Sequence, residues 1–138
     1  MKKITMLTLL LIGLGMSAKL YAQQDLDVVN NNTFCAVRVT AYYTDPCTCP
    51  GTAVGPVTFL AGNSGTITTG APCGSFVYEA FVEFLPIIGT HNGTVGYGCS
   101  VSATGIPVTN CTFGTSHFYF TPANLSPVYP ANAIVTIN

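Results

Sequence analysis

The sequence predicts a single-domain β-sandwich stapled by disulfides, of Ig-like or jelly-roll-like type, with a small barrel as the competing architecture. Short runs of alternating apolar and polar residues recur along the chain, which is the pattern of half-buried strands. Clusters of Gly, Pro, Asn and Thr separate these runs, and no stretch carries a sustained apolar stripe of helical period. Six cysteines in 138 residues add the covalent support that a small exported domain needs.

Roughly seven to nine short strands are expected along the chain. Between them, Asp45–Gly55 is expected to form a loop tied by Cys47 and Cys49. The turn Ala61–Gly65 is expected to close a hairpin, because a loop of this length containing glycine is a common hairpin connection. The expected strands are Asp25–Asn30, Cys35–Thr44, Pro56–Leu60, Gly65–Thr69, Ser75–Leu85, Gly93–Gly98, Cys99–Thr104, Thr115–Thr121 and Ala133–Asn138.

The strongest strand signal lies in Ser75–Leu85. Successive side chains of a strand point to opposite faces, and both Glu79 and Glu83 fall on the same face. The other face is therefore the expected core face, and Phe81, between the two glutamates, is expected to be an exposed aromatic. The expected core residues of this strand are Phe76, Tyr78, Ala80, Val82 and Phe84.

Residues 1–22 are expected to be a signal peptide, and residues 23–138 the exported domain. A positive start at Lys2 and Lys3 precedes the apolar run Ile4–Met16, which is shorter than the about 20 residues that span a bilayer. Cleavage is expected after Ala22, with Ala18 as the alternative site and an uncleaved membrane anchor as the alternative state. The expected location is the periplasm, the cell surface or the extracellular space, with no integral membrane segment after cleavage.

Charge excludes some classes of partner. Without residues 1–22 the chain keeps Arg38 as its single basic residue against five acidic residues, a net charge of about −4 (1 − 5). One cation cannot neutralise a row of phosphates, so neither a nucleic acid nor an anionic lipid surface is an expected partner. A surface so poor in charge repels its neighbours weakly, which favours packing against other copies or partner proteins.

All six cysteines follow the expected signal peptide, which predicts an oxidising compartment and up to three disulfides. Six cysteines allow 15 pairings, and the spacing does not choose among them. A strained redox pair within Cys47-Thr48-Cys49 is the alternative to structural bridges. The cysteines expected to form disulfides are Cys35, Cys47, Cys49, Cys73, Cys99 and Cys111.

No residue pattern predicts an enzyme. Glu79 and Glu83 are four residues apart, which is about 13 Å along a strand and longer than the about 5–10 Å of paired glycosidase carboxylates. His91 and His117 are the only histidines, and oxidised cysteines cannot complete a zinc site. No cofactor or metal is therefore expected, and a small hydrolase using Glu79 or Glu83 is the least favoured hypothesis.

A contact function remains. Tyr42, Phe81, His117 and Tyr119 are candidates for an exposed aromatic surface. Open sheet edges with few charges can also accept a partner strand. The leading hypothesis is a non-catalytic accessory or structural subunit that binds a protein partner or other copies of itself at the cell surface. The alternative is a carbohydrate- or ligand-binding module, although the chain has no tryptophan.

The first two expected strands resemble the start of small secreted, cysteine-containing proteins of Bacteroidota. Those proteins open with a strand–turn–strand of the form V-x-N-N-T-x-C-x-V-x-V, which is similar to Asp25–Tyr42 here. Their P-A-G-x-S turn corresponds to Leu60–Ser64, with Leu-Ala in place of Pro-Ala. The resemblance covers about half of the expected mature chain. It implies a β-sandwich and export, and the group has no settled activity to carry over. Many such bacteria glide and export adhesins through Type 9 secretion, so a role beside that machinery is a further hypothesis.

Overall fold

The computed structural model describes residues 24–44, 51–70, 76–86, 91–97, 103–123 and 132–138. Within these ranges the chain is all-β and contains no helix, as predicted. The expected signal peptide, residues 1–22, lies outside the described residues. None of the described elements is a helix of the length and hydropathy that a membrane span needs.

The described residues form nine strands in two sheets. A five-stranded sheet has the order β4-β1-β9-β8-β7, and a four-stranded sheet has the order β3-β2-β5-β6. All neighbours pair antiparallel except β1 and β9, which are parallel. The strands are β1 (Leu26–Asn30), β2 (Ala36–Thr44), β3 (Thr52–Phe59), β4 (Ser64–Ile67), β5 (Phe76–Leu85), β6 (Asn92–Gly96), β7 (Gly105–Thr109), β8 (Thr115–Thr121) and β9 (Ala133–Ile137).

The core lies between the two sheets and is built by alternation. In β1, β8 and β9 every second residue is buried, and the residues between them face outward. Across the interface, the rings of Phe84 on β5 and Phe118 on β8 lie 5.2 Å apart, and both side chains are fully buried. One apolar cluster includes residues of both sheets, so the chain folds as two packed layers rather than a closed barrel.

The expected hairpin around Ala61–Gly65 is wrong. β3 pairs with β2 in one sheet, whereas β4 pairs with β1 in the other. The turn crosses between the layers because its backbone is bound elsewhere: the carbonyl of Leu60 accepts the Asn30 side chain, and Gly62 donates to the carbonyl of Asn32. The glycine-containing segment therefore predicted a turn correctly, but it did not predict which strands pair on either side of the turn.

Further boundaries also differ: β4 ends at Ile67 instead of Thr69, and β6 ends at Gly96 instead of Gly98. β3 begins at Thr52, so the end of the expected loop Asp45–Gly55 belongs to a strand. No strand was expected at β7, which begins at Gly105 and includes Pro107. The strand can contain proline because it lies at the edge of the sheet, where a missing backbone donor is tolerated. Of the expected strand Cys99–Thr104, Ala103 forms an isolated antiparallel bridge with Gly96, Thr104 belongs to no strand, and residues 99–102 lie outside the described part of the chain.

A bulge changes the faces of β5. Tyr42 pairs with Glu79 and Tyr43 pairs with Val77, which leaves Tyr78 as the extra residue. From Tyr78 to Phe84 the expected core face is confirmed. Before the bulge the alternation shifts, so that Val77 is buried and the expected core residue Phe76 is only half-buried.

Candidate functional site

One end of the sandwich carries the two most exposed large apolar side chains among the described residues. Phe34 is 80% exposed and Phe113 is 79% exposed. The His91 ring meets the Phe113 ring edge-on with centroids 5.7 Å apart, and His91 is itself fixed by a 2.9 Å hydrogen bond between Nδ1 and the Thr109 carbonyl. We call Phe34, His91 and Phe113 the aromatic tip.

A disulfide holds the two turns of the aromatic tip together. Cys35 follows Phe34, Cys111 precedes Phe113 by two residues, and the two cysteines form a bridge with Cα atoms 5.8 Å apart. This confirms the predicted disulfide for these two residues. Cys47, Cys49, Cys73 and Cys99 lie outside the described residues; with one pair assigned, the four allow three pairings instead of 15.

A buried asparagine network supports the same two turns. The Oδ1 atom of Asn32 accepts from the backbone of Phe34 and of Cys35, at 3.0 and 2.8 Å. The Oδ1 atom of Asn110 accepts from the backbone of Thr112 and Gly114 and from the Thr112 hydroxyl, at 2.8 to 3.0 Å. The side-chain amides of both asparagines donate to the Oγ atom of Ser116, at 3.0 and 3.1 Å. The three side chains are at most 9% exposed, so the network joins the turns from beneath.

Phe113 has a left-handed backbone with φ of 60°. Its amide donates to the Asn110 carbonyl, and the Asn110 amide donates to the Gly114 carbonyl, which closes the turn between β7 and β8. Glycine or asparagine is the usual residue at such a position, and another residue costs about 1–2 kcal/mol. A strained, exposed phenylalanine in a rigid turn is a feature that stability alone does not favour.

An apolar pocket of about 270 Å³ lies at the opposite end of the sandwich. It opens between the start of β5, the end of β6 and the residues after β8. Its lining contains no group that is charged at neutral pH. The lining residues are Phe76, Val77, Tyr78, Tyr97, Pro122 and Ala123.

The β5 bulge and one glycine shape this pocket. Gly96 has φ of 143°, and a Cβ atom there would collide with the Tyr78 carbonyl oxygen. Next to this close approach, the backbone amide of Tyr97 donates to the same Tyr78 carbonyl at 2.7 Å. The Tyr97 ring meets the Phe120 ring edge-on, with centroids 6.3 Å apart. The Tyr78 hydroxyl accepts from the Gly51 amide at 3.0 Å, and burial raises the pKa of Tyr78 above its usual value.

The four residues predicted as a contact surface fall into two pairs on opposite outer faces. Tyr42 on β2 and Phe81 on β5 lie on the outer face of the four-stranded sheet, and both are half-buried rather than exposed. His117 and Tyr119 lie on the outer face of β8, with their rings stacked 6.0 Å apart, and Tyr119 is 44% exposed. The structure therefore forms two small aromatic patches rather than one surface.

The two glutamates have different surroundings. Glu83 forms an ion pair with Arg38 at 2.8 Å on the outer face of the four-stranded sheet, as their directly opposite positions allow. Glu79 faces the same side beside Tyr42, and burial raises its pKa above the usual carboxyl value. The residue pattern does not predict this shift of the Glu79 pKa, because the shift depends on what the neighbouring strands place around the carboxyl group.

No group of three or more His, Cys, Asp and Glu side chains in the described ranges has a geometry that could hold a metal ion. His91 lies at the aromatic tip and His117 on the outer face of β8, so the structure separates the two histidines. Neither a protein-family model, nor a curated protein, nor a solved structure matches this chain.

Sequence reasoning missed both the aromatic tip and the pocket. One signal was present for the tip, since each exposed phenylalanine stands next to turn-forming residues and within two positions of a cysteine. The pocket had no such signal. It depends on the strand pairing around Tyr78 and on the close approach at Gly96.

Proposed function

We propose that this protein works by contact, as a small non-catalytic accessory or structural subunit exported to the cell surface. The observation that carries the proposal is the aromatic tip. Two phenylalanine side chains, each about four-fifths exposed, stand on turns that a disulfide and a buried polar network hold in place. Rigid exposed aromatics of this kind are common anchors of protein interfaces.

The strain at Phe113 supports the same proposal. A glycine at position 113 would adopt the left-handed conformation without strain. The phenylalanine side chain that is present buries little of its own surface, so burial does not offset the strain. Exposed residues that cost stability are typical of surfaces selected for binding rather than for folding.

Export is part of the proposal. The Cys35–Cys111 bridge is consistent with an oxidising compartment, and the expected signal peptide in residues 1–22 would deliver the chain there. The resemblance to secreted proteins of Bacteroidota extends the proposal to a place beside Type 9 secretion and gliding adhesins.

We also propose that the sandwich is of Ig-like or jelly-roll-like type, since its described strands form two packed sheets. The parallel β1–β9 pair departs from the antiparallel pattern of both types. An experimental structure in which the strands close into one barrel would contradict the proposal.

The test is capture from the native envelope with a matched pair of variants. Phe113→Gly removes the exposed ring, whereas Val57→Thr alters an exposed apolar residue on the edge strand β3, away from the tip. Mass spectrometry should find a specific partner, or further copies of the chain, with the wild type and with Val57→Thr but not with Phe113→Gly. Equal recovery with all three proteins would show that the tip is not the contact.

A second candidate is a carbohydrate- or ligand-binding module, which the stacked His117–Tyr119 pair favours. The two rings are nearly parallel, at 16°, and face outward from β8. Flat aromatic surfaces of this kind can stack on a ligand. A glycan array should then show binding that Tyr119→Ala abolishes and Phe113→Gly leaves intact; an array without signal would end this hypothesis.

A further inference from the structure

We propose that copies of this chain associate head to tail, with Phe113 of one copy inserted into the apolar pocket of the next. This inference deepens the contact function proposed above and depends on it. It joins two features that the fold places at opposite ends: an exposed aromatic ring and an apolar pocket.

Strand directions establish that the two features lie at opposite ends. The turn with Phe113 precedes β8, and the pocket residues Pro122 and Ala123 follow it. The seven residues of β8 separate them by about 20 Å. β5 agrees with this arrangement, because its first residues line the pocket while its last residues pair with the start of β2, beside the Cys35 bridge.

The pocket has the size and chemistry for a phenyl ring. A dry apolar cavity of roughly 150 Å³ already accommodates benzene, and this pocket measures about 270 Å³. Its lining carries no charge at neutral pH and includes the aromatic rings of Phe76 and Tyr97. A phenylalanine side chain would therefore enter without desolvating an ion, and it would find aromatic neighbours that favour edge-on packing.

A second copy is the occupant that the charges and the rigidity favour. The aromatic tip contains no acidic or basic residue other than His91, and the described lining of the pocket contains none, so these two surfaces do not repel each other. The tip is also preorganised, since the bridge and the asparagine network fix Phe113 before any partner binds. Preorganisation lowers the entropic cost of ordering a loop on association.

The proposed contact is small and is expected to be weak. A phenylalanine ring buries about 150–250 Å², well below the roughly 800 Å² per partner of a standard interface. Association should therefore require high concentrations, as on a crowded surface. Because the ring and the pocket are different patches, the contact is heterologous, so it extends into rings or filaments instead of stopping at a symmetric dimer.

The experiment measures the oligomeric state of the full chain after secretion into an oxidising compartment. Sedimentation velocity over a wide concentration range should show the wild type growing beyond a dimer. Two single variants should each stay monomeric, with association weakened by at least about tenfold: Phe113→Gly, which has no ring to insert, and Ala123→Phe, which fills the pocket. Val57→Thr, away from both ends, should assemble like the wild type.

An equimolar mixture of the two single variants is the decisive arm. Ala123→Phe keeps its ring, and Phe113→Gly keeps its pocket, so together they should form a 1:1 dimer that grows no further. Tip-to-tip pairing would instead let Ala123→Phe dimerise alone, and pocket-to-pocket pairing would let Phe113→Gly dimerise alone; either result overturns the proposal. If Ala123→Phe fails to fold, Tyr97→Lys places a charge on the pocket rim, where Tyr97 is 47% exposed, and serves in its place.

The same proteins separate failure of this inference from failure of the contact function. A wild type that stays monomeric at every concentration overturns head-to-tail association. If that monomer still captures an envelope partner that Phe113→Gly loses, the aromatic tip contacts a different protein and the proposed function stands. If it captures nothing, both fail.

Discussion

The two ends of the sandwich solve the same problem with different means. At both ends strands stop and the backbone groups of the turns need partners. At the aromatic tip those partners are buried asparagines and a covalent bridge, and the apolar rings point outward. At the pocket end a bulge, a close backbone approach and edge-on aromatic packing shape the chain, and the apolar surface is concave.

This difference shows that rigidity and exposure are separable. Polar networks satisfy the backbone without covering the turn, so the phenylalanines at the tip are held firmly although almost nothing packs over them. At the other end, aromatic packing of Tyr97 against Phe120 lies beside a pocket among the described residues. One convex and one concave apolar surface are the two surfaces that the proposed head-to-tail contact needs.

Removal of the bridge should have the largest effect. Replacing Cys35 and Cys111 together by alanine removes a covalent link between two residues that are 76 positions apart in the sequence. Because the unfolded chain gains conformational freedom, the unfolding free energy should fall by about 4 kcal/mol. Denaturant unfolding of the double variant measures this loss. A loss below about 1 kcal/mol would mean that the asparagine network alone holds the tip.

Gly96→Ala should be the most damaging change at the pocket end. The new methyl group would meet the Tyr78 carbonyl and occupy a left-handed backbone, for a loss of about 3 kcal/mol. Gly62→Ala is the matched control, since Gly62 also has a positive φ but nothing lies near its Cβ position. Equal losses in thermal unfolding would place the whole cost in the backbone angle and none in the close approach.

Asn110→Ala should cost about 2 kcal/mol, because three donors lose their acceptor and Ser116 loses one donor. Asn31→Ala is the control. Asn31 is exposed, and its side-chain amide donates to the Asn138 side chain, while its backbone amide bond to the Ile137 carbonyl is kept in the variant. The loss should therefore stay below about 0.5 kcal/mol. Chemical denaturation measures the unfolding free energy of both variants. Similar losses would mean that the asparagine network does not stabilise the aromatic tip.

Phe113→Gly should raise stability by about 1 kcal/mol, since glycine adopts the left-handed conformation without strain. The same substitution should weaken association, so stability and contact move in opposite directions. Thermal unfolding and sedimentation on one sample measure both. A destabilised variant would mean that the ring contributes more packing against His91 than its exposure indicates.

The smallest effect is expected at Glu79, on the outer face of β5 next to the pocket end. A raised folded pKa means that the folded state binds the proton more tightly than the unfolded state, so stability falls as pH rises from the usual carboxyl value near 4.5 through the raised value. Glu79→Gln should therefore stabilise at neutral pH and lose that gain in acid, by less than about 0.5 kcal/mol because solvent screens the group.

Glu83→Gln is the matched partner of that prediction. It breaks the ion pair with Arg38 and should destabilise by about 0.2–1 kcal/mol. Unfolding at several pH values compares the two variants, and a shared sign would contradict the different surroundings described above. The double variant Glu79→Gln/Glu83→Gln also tests the hydrolase hypothesis, which ends if every measurable activity is unchanged.

Much of the fold was predictable because burial alternates along a strand that has one solvent-exposed face and one buried face. β1, β2, β8 and β9 lie where the alternation placed them, within about one residue. The contact residues were less predictable. Phe81 was expected to be exposed and is half-buried, because β2 and β6 flank it in the middle of a sheet. Phe34 and Phe113 lie in turns, where alternation predicts nothing.

By itself the sequence determined that the chain is all-β and which residues of β5 face the core from Tyr78 to Phe84. Those properties follow from the two-residue period of a strand, which is local. Only the tertiary structure decided that β3 and β4 belong to different sheets, that Cys35 bonds Cys111, and that an aromatic tip and an apolar pocket lie at opposite ends. Those properties depend on pairing between segments that are distant in the sequence. The two-residue period of the side chains identifies the buried face of a strand, but it does not identify the strand that pairs with it.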